Sequence, residues 1–143
     1  MFERKSVVLG ITGSISAYKV VDLASKLVQQ GIGVDVVMTQ AATRFVAPLT
    51  FQAITQRRVF TDVFGLVTEF NLSHIALAER ADAVAVVPAT ANLLAKLAAG
   101  LADDLLSCTI LAARGPVILA PAMDRGMYEN QATQENLTKL RSR

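Results

Sequence analysis

The chain has 143 residues, 52% of them hydrophobic and 18% charged, with a formal net charge of +2. That length suits one domain, residues 1–143, with a real core, and is short for two. No basic stripe with interleaved aromatics points to nucleic acid, and no run of about 18 apolar residues points to a membrane span. Cys108 is the single cysteine, which excludes an internal disulfide and a multi-cysteine metal site. No metal is expected, and the cysteine usage is compatible with a reducing cytoplasm.

Arg4 and Lys5 ahead of Ser6–Ile11 imitate a signal peptide. The apolar run is short and Thr12-Gly13-Ser14 interrupts it, so a first β-strand is the better reading. Val7 to Ile11, Val34 to Met38, Ala83 to Val87 and Val117 to Ala120 read as four buried strands, and their near-continuous apolar content suits a parallel sheet covered on both faces. Between the first two, Ala17, Val20, Val21, Ala24, Leu27 and Val28 fall at helical spacing, and Gly31 supplies the stop. A second helix is expected over 42–54, with Pro48 a weak point in it. Residues 56–70 carry the weakest pattern; 59–64 read as an edge strand or loop. Further helices are expected over about 72–80, 91–98, 104–114 and 134–140, the fifth started by an acidic cap and ended by Gly115-Pro116.

Strands alternating with helices imply an α/β fold: a doubly wound, Rossmann-like or flavodoxin-like parallel sheet with helices on both faces. Ligands of such sheets bind outside the carboxyl ends of the strands. Each strand is followed by small or polar residues: Thr12 to Ser16, Thr39 to Ala41, Pro88 to Asn92, and Pro121 to Asp124. Those loops are expected to converge on one pocket.

In the first loop, Gly13 allows close backbone approach, Ser14 and Ser16 offer hydroxyls, and the following helix offers free N–H groups. That set suits a phosphate or a polar cofactor chain, although an ordinary capped turn reads the same way. The loop is not G-x-G-x-x-G, and Thr39 stands where a dinucleotide site wants an acid, so the pattern leans towards a mononucleotide. His74 is the single histidine. With Asn71 or Ser73 as cap it falls in the first turn of a helix, where the dipole favours a neutral imidazole that accepts a proton. A surface histidine at a helix start is the plainer reading of that position.

Gly13-Ser14-Ile15-Ser16-Ala17-Tyr18-Lys19, Ser73-His74-Ile75-Ala76-Leu77, Pro88-Ala89-Thr90-Ala91-Asn92-Leu93 and Pro121-Ala122-Met123-Asp124-Arg125-Gly126-Met127-Tyr128 together resemble the homo-oligomeric flavin-containing cysteine decarboxylases. Gly100 to Ser107 matches a further run common in that family. The resemblance covers essentially the whole chain. It implies an FMN cofactor contacted by Gly13, Ser14, Ile15, Thr39, Thr90, Ala91, Asn92, Leu93 and Ala122, with His74 as catalytic base and Asp124 and Met127 against the substrate. It implies oxidation and decarboxylation of a cysteine with a free carboxylate, phosphopantothenoylcysteine first and a peptide second. It also implies a homotrimer or dodecamer with FMN between subunits. A related flavin prenyltransferase fits the Pro88 and Pro121 segments less well. A non-catalytic flavoprotein acting through its surface is the alternative from another class.

Asp103 and Asp104 read as helix caps, Cys108 as a core residue, and Met123 as packing. Two features depart from the family pattern. Asp124 stands where Asn is usual; an ionised Asp cannot donate to a substrate carboxylate and would face an amide or water instead. The chain also reaches Arg143 without the flexible substrate flap and its reactive cysteine, which reads as a piece of a longer protein, one fused to a ligase domain for example. A complete chain of this kind would stop at the enethiol or simply bind FMN.

Overall fold

The computed structural model describes residues 4–61 and 73–143. In chain order the elements are β1 (Ser6–Ile11), a 3-10 turn (Ile15–Tyr18), α1 (Lys19–Gln29), β2 (Gly33–Met38), a 3-10 turn (Ala42–Arg44), α2 (Pro48–Thr55), α3 (Ser73–Arg80), β3 (Ala83–Ala89), α4 (Ala91–Ala99), α5 (Leu105–Ala112), β4 (Val117–Pro121), α6 (Arg125–Glu129) and α7 (Gln131–Arg141). The strands lie in the order β2-β1-β3-β4 and every pairing is parallel. The chain winds one way from β1 to β2 and the other way through β3 to β4, so the topology reverses between β1 and β3. That is where a doubly wound sheet opens a crevice at its carboxyl edge.

Side-chain alternation along the strands builds two cores. Leu9 and Ile11 of β1 join Val34, Val36 and Met38 of β2 under α1 and α2, with Val20, Ala24 and Phe51 from the helices. On the opposite face Val8, Val84 and Val86 meet Leu77 of α3, Leu93, Leu94 and Leu97 of α4, Leu105 and Leu106 of α5, and Leu137 of α7. Gly10 makes the second face possible. A Cβ there would sit 2.5 Å from Leu106 Cδ1, so the glycine lets α5 press against β1.

The structure departs from the periodicity in several places. Residues 42–54 do not form one helix. They form a 3-10 turn and then α2, with Pro48 in its first turn. Proline lacks the N–H a helix interior needs and fits the first turn, where that donor is unused. The fifth helix ends at Ala112, before Gly115. Residues 125–129 form a short helix that the pattern missed, and α7 starts at Gln131, where Asn130 caps it. β4 is not buried: among the described residues it pairs with β3 alone, and Val117 and Ile118 are 39% and 57% exposed. Cys108 is half-buried rather than in the core, with Sγ 3.2 Å from the Ala102 carbonyl. Phe60 makes a parallel bridge with Val37, so the edge-strand reading holds at that residue. Residues 62–64 of that segment, and Asn71 and Leu72 before α3, lie outside the described residues.

Phe51 is fully buried between α1, α2 and β2. Phe51→Ala is expected to cost about 3–5 kcal/mol, because the cavity cannot close against a rigid sheet. Urea denaturation should show a lower midpoint at an unchanged slope.

Candidate functional site

The four carboxyl-end loops do converge. They line a cavity of about 640 Å³ together with α5 and the 103–104 turn, within the range that holds small-molecule ligands. Thr12 ties the loops together. Its buried hydroxyl donates to the Pro88 carbonyl at 2.6 Å and accepts from the Thr90 N–H at 3.1 Å. The ends of β1 and β3 are thereby held at a fixed spacing across the topological reversal.

The walls of the cavity differ. One carries hydroxyls and first helical turns. Ser14 caps the 3-10 turn ahead of α1, its Oγ accepting from the Ser16 N–H at 3.3 Å. Thr90 caps α4 through the Leu93 N–H, and Thr39 accepts from the Ala42 N–H at 3.2 Å. These first turns present the positive ends of backbone dipoles. Gly13 brings the backbone close: a Cβ there would lie 2.5 Å from Ala41 Cβ and 3.1 Å from the Ala41 carbonyl carbon. The other wall is apolar, with Met38, Leu93, Leu105, Leu106, Ala122, Met123 and Met127. Such a cavity suits an elongated ligand with an anionic end and a flat apolar end.

Gly13, Ser14, Thr39, Thr90, Ala91, Asn92, Leu93, Ala122 and Met127 all line this cavity. Ile15, Asp124 and His74 do not. Ile15 opens the 3-10 turn and is 74% exposed. Asp124 caps α6, with Oδ2 accepting from the Gly126 N–H at 2.9 Å. His74 is half-buried in the first turn of α3. Met123 lies on the cavity wall as well as against the second core.

Sequence reasoning missed an ionic group on the wall. Lys96 Nζ sits 2.6 Å from Asp103 Oδ1 and 2.8 Å from Asp104 Oδ2. The signal was available: Lys96 is the one charge in the apolar helix Ala91–Ala99, and a charge in such a setting needs a carboxylate partner. Asp103 is therefore an ion-pair partner rather than a cap, whereas Asp104 is both, closing a capping box with Ser107. Burial pushes the Asp104 carboxyl up, but the hydrogen bonds from Lys96 and Ser107 outweigh it and hold the group below its ordinary range. Burial lowers Lys96 in turn, and Asp103 and Asp104 more than reverse that. Burial, with Asp104 and Asp103 beside it, raises the Cys108 thiol. Among the described residues no group of three or more His, Cys, Asp or Glu could hold a metal ion, and no helix is long and apolar enough to cross a membrane.

A parallel α/β domain with a donor-rich cavity at its topological reversal is a nucleotide-type cofactor domain. The chain belongs to the Flavoprotein family, whose model matches residues 1–143. The coenzyme A biosynthesis bifunctional protein CoaBC of Bacillus subtilis (strain 168) is 48% identical over 140 residues, covering 98% of this chain and 34% of that protein. The chain spans about a third of the length of the curated relatives it matches. Among solved structures, the FMN-dependent cysteine decarboxylase SpaF superposes with a TM-score of 0.89 at 36% identity, covering 96% of this chain and 79% of that one. A PPC decarboxylase mutant complexed with pantothenoylaminoethenethiol superposes with a TM-score of 0.80 at 29% identity, covering 98% and 79%.

Two outcomes are expected. Gly13→Ala has no room beside the Ala41 backbone, so the 12–14 loop must shift. The variant should keep its far-ultraviolet dichroism and co-purify with at least about tenfold less flavin, a loss of about 1.4 kcal/mol in binding. Asp104→Asn keeps a capping oxygen and removes the charge. The folded carboxyl titrates below its unfolded value, so its contribution is present above the ordinary carboxylate range and lost as pH falls through the folded value. The variant should be about 1 kcal/mol less stable at neutral pH, a figure discounted for partial exposure. Denaturation at stepped pH should show that gap closing in acid.

Proposed function

We propose that this domain binds FMN and decarboxylates the cysteine moiety of 4'-phosphopantothenoylcysteine, a step that yields 4'-phosphopantetheine in coenzyme A synthesis. The observation that carries this reading is the convergence of the Gly13, Pro88 and Pro121 segments on one cavity, in a chain 98% of which aligns to CoaBC at 48% identity. Residues 1–143 form the flavin-binding unit.

The residues present fit the cofactor. Ser14, Thr39 and the first turns beside them would hold the phosphate, and Gly13 and Ile15 the chain that carries it. Thr90, Ala91, Asn92, Leu93 and Ala122 would flank the ring system. When bound, FMN would supply a two-electron acceptor for the cysteine side chain, which makes loss of carbon dioxide feasible, and the same two electrons would return to the enethiol so formed to give phosphopantetheine. His74 would take the proton released in that oxidation. Asp124 has one oxygen committed to the Gly126 N–H, and its carboxylate would accept from a substrate amide rather than meet the substrate carboxylate. Met127 would pack against the substrate's apolar part.

His74 does not line the cavity of its own chain. A homotrimer, alone or assembled into a dodecamer, resolves this if FMN lies between subunits and a neighbouring copy supplies the base. The exposure of Ile15, Tyr18 and Leu49, at 74%, 60% and 70%, supports a contact beside the cofactor loop.

The test uses purified protein in anaerobic buffer. It should be yellow, release FMN, and run in solution at three or twelve times the chain mass. Phosphopantothenoylcysteine should bleach the flavin and release carbon dioxide; a cysteine-terminated peptide should do so more slowly. His74→Asn should retain FMN and assembly and lose about a hundred- to ten-thousand-fold in the bleaching rate. Bleaching at the wild-type rate with substrate bound would remove His74 from the mechanism. Stoichiometric FAD or NAD would overturn the cofactor assignment.

A further inference from the structure

A second cavity, of about 520 Å³, lies at the opposite end of the sheet, where Ser6 opens β1 and Asp35 sits in β2. Arg4, Arg57, Arg58 and Arg80 line it, with Asp35 the carboxylate among its described residues. Asp35 is 2% exposed. Arg80 meets it side-on, with Nε 3.1 Å from Oδ2 and Nη2 3.1 Å from Oδ1. That two-bond fork matches the buried charge by itself. Arg57 Nη1 then approaches Oδ2 at 3.2 Å, bringing a second positive charge to a carboxylate already matched.

The position of Arg57 is built into the local chain. Gln56 ends α2 in the left-handed region, at φ 54°, which turns the chain back towards β2. Thr55 Oγ1 accepts from the Arg57 N–H at 3.2 Å. The guanidinium lies against Gly33, where a Cβ would fall 2.8 Å from Arg57 Nη2. Arg57 and Arg80 still face solvent, with side chains 36% and 54% exposed. Arg4 adds to the rim, its Nε donating to the Gly31 carbonyl at 3.0 Å. Arg58 reaches the same cavity over the Phe60 ring.

We propose that this end of the sheet binds a phosphate-class oxyanion, gripped by Arg57 with Arg80 and Arg4 in support. Among the described residues two guanidinium groups share one carboxylate at this half-exposed cavity, and a second anion relieves the positive charge that Asp35 by itself does not offset. Guanidinium forks fit phosphate oxygens in the same geometry as carboxylates. The site is separate from the flavin cavity and does not depend on the proposed reaction.

Calorimetric titration of purified protein at low ionic strength, with inorganic phosphate and with pyrophosphate, tests this. One saturable site per chain is expected, with pyrophosphate the tighter ligand and the flavin spectrum unchanged. Arg57→Gln should weaken binding at least about tenfold and Arg57→Lys should recover only part, since a point charge lacks the fork. Arg4→Gln, which gives up a single contact to a carbonyl, keeps the test open if the Arg57 variants fold poorly; it should weaken binding several-fold. Gly13→Ala, at the other cavity, should leave it unchanged. Three results would overturn the proposal: heats no larger than those of sodium chloride at equal ionic strength, binding that follows Gly13 rather than the arginines, or binding that Arg57→Gln and Arg4→Gln both leave intact.

Discussion

The Thr12 hydroxyl joins the two halves of the winding. Parallel strands β1 and β3 separate in connectivity where they lie side by side, and nothing in the ladder continues past their carboxyl ends. A buried hydroxyl that donates to Pro88 and accepts from Thr90 spans that gap. It also places the Gly13 loop opposite the first turn of α4, so both first turns border one cavity. A phosphate-bearing ligand needs that arrangement because backbone N–H groups cannot reorient once their helices are packed. The two cores below hold the helices in place from both faces.

Two groups of ion pairs lie at opposite ends of the sheet. At the carboxyl end, Lys96 binds Asp103 and Asp104 on the cavity wall, which offsets one of the two carboxylate charges where an anionic ligand would enter. At the amino end, Asp35 of β2 lies among arginines from other elements. Both groups place a buried or half-buried ion beside partners from another element, so each also fixes how elements meet. Lys96 pins α4 to the turn before α5, and Arg80 pins α3 to β2.

The strands and their loops were legible because a strand buried on both faces carries a long apolar run and must end in small or polar residues. The site residues on those loops could therefore be named together, and the structure brings most of them to one cavity. Helix boundaries were less legible. Pro48 is compatible with a kink, a break or a start, and only the packing of Phe51 shows that it is a start. The α6 segment, Arg125–Glu129, is too short for a periodic signal and depends on the Asp124 cap. Asp35 sits inside an apolar strand, where composition gave no hint that it would be held by arginines from α3 and from the turn after α2.

The sequence by itself determined the alternation of elements, the polar character of the four loops and the resemblance that the family match later bore out, because each rests on residues near one another in the chain. The tertiary structure decided which strands are edges, which carboxylates face Lys96, and that His74 lies away from the cavity of its own chain. Those depend on contacts between residues far apart in sequence. Residue spacing carries no record of the side of the sheet to which a distant partner comes.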